Sequence, residues 1–181
     1  MFVAQHLREE NIAEYLLYMW QVEDLLRAFH LDFDTLDTKY LSRFKDLSPE
    51  KRDELRRWYG NIIDMMRSEG VTEQGHLQIC KNVISNLDDL HAQLMKSTKF
   101  PYYQAAYNQA LPVIVALRAR NGNHEESELD TCFNFMYGIM LLRLQKKPVS
   151  EETAKALQTL TTWIGTLSDY YKQDKQEPIE F

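Results

Sequence analysis

Five histidines and two cysteines are the residues in this 181-residue chain from which a reactive site would be built. Glu73-x-x-His76 has the i,i+3 carboxylate–histidine spacing of metal-binding helical bundles. On a helix that spacing puts both side chains on one face, where an ion can be clamped. Asp88-x-x-His91 is a variant of it. Both pairs fall on one predicted helix, about 15 residues and so roughly 22 Å apart along its axis, and cannot share an ion. A di-metal bundle takes its pairs from separate helices and adds glutamates from two more. Glu10 and Glu14 are the available carboxylates, but nothing in the sequence brings them to either histidine. The expectation is therefore that His91 is a core histidine bonded to a tyrosine or a carboxylate, and His76 a surface residue in a first helical turn. No metal ligand is assigned.

The cysteines, Cys80 and Cys132, sit among apolar helical positions and are expected to be reduced core residues, not an activated nucleophile or a disulfide framework. No glycine-rich phosphate loop, Cys-x-x-Cys, G-x-S-x-G or H-E-x-x-H occurs. No catalytic residue is assigned and no cofactor is expected. Lys51, Arg52, Arg56 and Arg57 form a basic cluster beside Trp58 and Tyr59, partly neutralised by Asp53 and Glu54. It reads as a solvated helix face, with docking of an acidic partner as the alternative. The formal net charge of −6 speaks against nucleic acid.

The elements that must position these groups are helices. Asn11 to Phe29 is the stretch the rest is organised around. At about 100° per residue, Glu10, Glu14, Gln21 and Asp24 form a polar stripe roughly 80° wide. Most of the remaining circumference is apolar, so partners must cover this helix on several sides. Glu23 lies at the edge of the apolar arc, one turn before Arg27. An i,i+4 ion pair is the expectation there, and a buried functional carboxylate is the alternative.

The run from Glu10 to Gln21, ENIAEYLLYMWQ, resembles the start of an uncharacterised family of about this length, a domain of unknown function associated with Bacteroidetes-type bacteria. The resemblance implies a helical fold and a bacterial host, and it carries no catalytic residues with it.

Helices follow in order along the chain. The first begins within the first few residues and ends near His30. Asp32 or Asp34 caps a short second one. Ser48-Pro49-Glu50 starts a third that stops at Gly70. Thr72 caps a fourth, whose seam is Leu77, Cys80, Ile84, Leu87, His91 and Leu94. Pro101 opens a fifth, which Pro112 is expected to kink or to split in two. Asn121-Gly122-Asn123 is a turn. A sixth, from about Glu125 to Lys146, is apolar nearly all round over 132–144. Ser150 caps a seventh. The ending Pro178-Ile179-Glu180-Phe181 is expected to fray, docking in a groove being the alternative.

Six glycines and five prolines suit helices better than a turn-rich β fold. No run of about 18 apolar residues is present to span a membrane. The opening MFVAQHLREEN turns charged too soon for a signal peptide, so a cytoplasmic location is expected. The expected fold is all-α, a single-domain antiparallel bundle of six to seven helices over 1–172 with a polar tail over 173–181 and the N-terminal helix central. Tyrosine and tryptophan cluster at Tyr102, Tyr103 and Tyr107 and again at Trp163, Tyr170 and Tyr171; such residues join apolar area to a polar handle and are common at interfaces. The expected function is a non-enzymatic interaction or scaffold module that self-associates as a homodimer or binds another protein, with no nucleic acid or membrane partner. The alternatives are a carboxylate–histidine metalloprotein and a small-ligand binder with a pocket beside Pro112.

Overall fold

The apolar N-terminal stretch is split at Asn11. In the computed structural model, which describes residues 2–121 and 126–181, α1 spans Phe2–Glu10 and α2 spans Ile12–Ala28. The Asn11 side-chain oxygen accepts from the Ala13 N–H at 3.1 Å. A residue expected inside one long helix is thus the N-cap of the next, because a short amide side chain competes for helical N–H donors. Ile12, Tyr15, Leu16, Met19, Trp20, Val22 and Leu26 of α2 are all buried, as its narrow polar stripe requires. Each large side chain buried there stabilises the fold by about 1.5–3 kcal/mol.

The helix α3 (Phe33–Lys39) is capped by Asp32, which accepts from the Asp34 and Thr35 N–H groups at 3.0 and 3.2 Å. A 3-10 turn over Leu41–Arg43 leads to α4 (Pro49–Ser68), started by Ser48 and Pro49 as expected. Gly70, at φ 69°, ends α4. The Val71 N–H reaches back to the Met66 carbonyl at 3.0 Å, the bond of a Schellman close. The next helix, α5 (Gln78–Lys96), starts later than the Thr72 cap suggests. Residues 71–76 form a loop, in which Gly75 takes the left-handed φ of 87°.

The remaining helices are α6 (Pro101–Asn121), which contains Pro112, α7 (Glu128–Leu144) and α8 (Glu151–Gln176). A capping box of Ser127 and Asp130 fixes the start of α7. Gly122 and Asn123 of the expected turn, and Glu125 at the expected helix start, lie outside the described residues. No strand occurs among the described residues, and the fold is all-α. It has eight α-helices there instead of six to seven, the split at Asn11 supplying the extra one. None of them is long and apolar enough to cross a membrane.

The chain divides into two compact units, Met1–Glu10 with Glu14–Asn82 and Asn11–Ala13 with Val83–Phe181. The first is centred on Leu16, Trp20, Leu26, Leu36, Tyr59 and Met66, and the second on Leu94, Tyr103, Ile114, Phe133, Leu160 and Trp163. In the second unit the chain end is held where fraying was expected. The Ile179 N–H donates to Asp174 at 3.0 Å, Lys99 Nζ donates to the Glu180 carbonyl at 3.0 Å, and the Phe181 ring lies 5.8 Å from Phe100. The Phe181 ring stays partly exposed, and its contact with Phe100 together with the two hydrogen bonds offsets part of the ordering of the last few residues.

Candidate functional site

In the first unit the most built polar cluster is around Glu23, whose side chain has no exposed surface. It is not paired with Arg27. Its Oε1 accepts from the Leu77 N–H at 2.9 Å, and its Oε2 lies 2.7 Å from His76 Nδ1. A carboxylate oxygen accepts, so Nδ1 carries the proton of this bond. The imidazole stacks on Trp20 with centroids 4.0 Å apart and planes 10° from parallel. His76 is therefore half-buried, where a surface residue was expected. Arg27 turns instead to Asp24 at 2.9 Å and donates to the backbone carbonyls of Val71, at 3.1 Å, and Gly75.

The local reason is the start of α5. Leu77 occupies the cap position, accepting from the Cys80 and Lys81 N–H groups at 2.9 and 3.1 Å, and has no side-chain oxygen to offer. The first donors of a helix need acceptors. Glu23 takes the Leu77 N–H and Glu69 takes the Gln78 N–H at 2.6 Å. Two carboxylates from elsewhere in the unit thus do the work of a missing local cap, and negative charge suits that end of the helix dipole. Because α5 begins only at Gln78, Glu73 lies in the preceding loop, and the Glu73-x-x-His76 pair loses its helical face.

An imidazole oriented by a buried carboxylate is the arrangement a general base or a metal ligand uses. Here it lies flat against an indole, and its carboxylate is also engaged by a helix start. No group of three His, Cys, Asp or Glu able to hold a metal ion occurs among the described residues. Glu10 and Glu14 are exposed. Cys80 is fully buried; burial first, and then the Glu23 charge, push its thiol up. Burial also pushes Cys132 up, to about 12, so neither sulfur is a thiolate nucleophile at neutral pH.

In the second unit His91 behaves as expected of a core histidine. Its Nδ1 is 2.6 Å from the Tyr103 hydroxyl, and its ring lies 4.7 Å from Tyr107 and 5.4 Å from Trp163. Burial lowers the His91 pKa and raises that of Tyr103, so the two meet as neutral groups. Beside them the Tyr107 hydroxyl donates to Glu128 at 2.8 Å. Asp88, the acid of the candidate Asp88-x-x-His91 pair, is not the partner of His91 Nδ1. Burial, with the negative charges of Asp130, Asp89 and Glu128, pushes its carboxyl up to about 6, against a bond from Ser127.

In the exposed basic cluster on α4, Arg56 pairs with Asp37 at 2.9 Å, Arg52 donates to the Leu47 carbonyl at 3.1 Å, Arg57 donates to the Asp53 carbonyl at 3.4 Å, and Lys51 sits over the Phe2 ring. A groove of about 320 Å³ opens beside Pro112, where the small-ligand alternative placed a pocket, with α8 as an additional wall. The paired residues missed from the sequence, Glu23 with His76 and Tyr107 with Glu128, are far apart in the chain. The signal for the first pair was Glu23 itself, at the edge of an apolar arc, where a buried carboxylate was the alternative to a pair with Arg27.

Helical packing around buried, hydrogen-bonded polar groups defines an all-α protein. The chain belongs to the family described as a domain of unknown function (DUF4924), whose model matches residues 1–178. No curated protein and no solved structure matches it.

Proposed function

We propose that the protein is a non-enzymatic helical interaction module that pairs with a second copy of itself through the outward face of α7. One observation carries this reading. The second half of α7, from Tyr137 to Leu144, is apolar but for Gly138 and Arg143, yet only Ile139 in it is buried. Leu141 and Leu142 are half-buried and Leu144 is 65% exposed. Asn134, Gly138, Leu141 and Gln145 recur at the four-three-four spacing of a helix-pairing seam, more than about 100° around the helix from Met136, which faces the core. A Cβ added at Gly138 would meet nothing within 4 Å. In an antiparallel two-fold pairing, Leu141 of each copy fits over Gly138 of the other, a knob against a notch.

A cytoplasmic, bacterial setting goes with this proposal; two free, buried cysteines suit a reducing compartment. Nucleic acid is not among the proposed partners, since the basic side chains of α4 are engaged with their own neighbours.

The test is light scattering after gel filtration over a range of concentrations, for the parent and for Leu141→Asp. Completing the burial of a half-covered leucine is worth about 1 kcal/mol, and two-fold symmetry doubles it. The parent runs as a dimer, and the variant dissociates at concentrations at least about 30-fold higher. A parent that is monomeric at every concentration removes the proposal.

A further inference from the structure

The groove beside Pro112 belongs wholly to the second unit. Its floor is apolar, made by Leu117 of α6, Phe135 of α7 and Ala156 of α8. Pro112 contributes its ring and has no N–H, so the Asn108 carbonyl one turn earlier has no helical donor and α6 has no bond there to hold it straight. At about 320 Å³ the groove is at the small end of the range for sites that hold small molecules. It is short and suits one chain or ring better than the flank of a partner helix.

The rim is not neutral. Arg120 and Lys155 both line it, with Glu152 as the one acid among the lining residues. Glu152 reaches Arg120 only at 3.9 Å, with both side chains more than 70% exposed, a loose pair that an incoming anion can replace. A net positive rim above an apolar floor is complementary to one kind of molecule, an apolar chain ending in a single negative charge. We infer that this groove binds a free medium-chain carboxylate, its chain against Leu117, Phe135 and Ala156 and its head between Arg120 and Lys155.

The experiment uses the full chain and two probes of equal chain length, decanoate and decanol, followed by titration calorimetry. Decanoate binds one per chain with saturation, and decanol, lacking the charge, binds at least about tenfold more weakly. Arg120→Gln and Lys155→Gln each weaken decanoate by about tenfold and leave decanol unchanged. Ala116 lines the groove and is exposed, so Ala116→Phe fills it without disturbing the core and removes both. Equal binding of the two probes, no saturation below about 1 mM, or intact binding in Ala116→Phe overturns the inference. So does binding to anionic vesicles without binding to free decanoate. The oligomeric state of the same samples, measured alongside, shows whether self-association stands or fails independently of the groove.

Discussion

Replacing Glu23 by alanine separates a buried cap from a surface ion pair. The substitution leaves the Leu77 N–H without an acceptor, at a residue with no exposed surface. A buried donor left unsatisfied costs about 1–3 kcal/mol. His76 also loses its partner, but its side chain is 32% exposed and water can reach the ring, so it adds about 1 kcal/mol or less. Glu23→Ala should therefore destabilise the protein by roughly 1–4 kcal/mol. For a chain of this length that lowers the melting temperature by about 2–16 °C. Glu23→Gln keeps an acceptor for Leu77, and His76 can shift its ring proton to Nε2 to accept from the new amide, so the loss falls to about 1 kcal/mol. Thermal and urea unfolding followed by circular dichroism at pH 7 measure both. An exposed pair with Arg27 would be worth less than about 1 kcal/mol. A Glu23→Ala protein within about 0.5 kcal/mol of the parent would refute the cap.

Other consequences are as direct. Gly138 and Gly165 both lie inside helices with open space where a Cβ would go, so alanine at either should stabilise the monomer by about 0.8–1 kcal/mol. Only Gly138→Leu should also weaken self-association, because it fills the notch; equal dimerisation in Gly138→Leu and Gly165→Leu would contradict the seam. Asp88 makes stability depend on pH. Its folded-state pKa of about 6 lies above the usual carboxylate range, so between about pH 4 and 6 the folded chain holds a proton that the unfolded chain has released. Its contribution is full below that window and is lost as pH rises through about 6. His91, with its pKa lowered, runs the other way: its contribution is present above its unfolded value and lost as pH falls. Asp88→Asn should remove the first slope and leave the second, read from urea midpoints between pH 4 and 8. Pro178→stop, which deletes the last four residues, should lower the melting temperature by a few degrees through loss of the Lys99 and Phe100 contacts, by differential scanning fluorimetry.

Much of the architecture was legible where physics acts locally. Ser48-Pro49, Gly70, Pro101 and Ser150 each mark a helix end by what their own side chains or backbones permit, and each does so in the structure. The breadth of the apolar arc on α2 required burial, which it has. Asn11 was overlooked because a single asparagine at the start of a long apolar run leaves the run's periodicity intact on either side of it. Thr72 misled because a residue suited to capping is followed by Gly75, whose left-handed φ keeps the chain out of a helix. Glu23 and His76 are 53 residues apart, and no periodicity reports a pairing over that distance. Pro112 pointed to the groove, but the charges on its rim come from the far end of α6 and from α8, which only packing brings together.

Sedimentation velocity of the unmodified chain from about 1 to 100 μM tests self-association most directly. A species of twice the chain mass that grows with concentration, and is lost in Leu141→Asp at unchanged helical content, is the expected result. A single species of one chain mass across the whole range, in parent and variant alike, would contradict it.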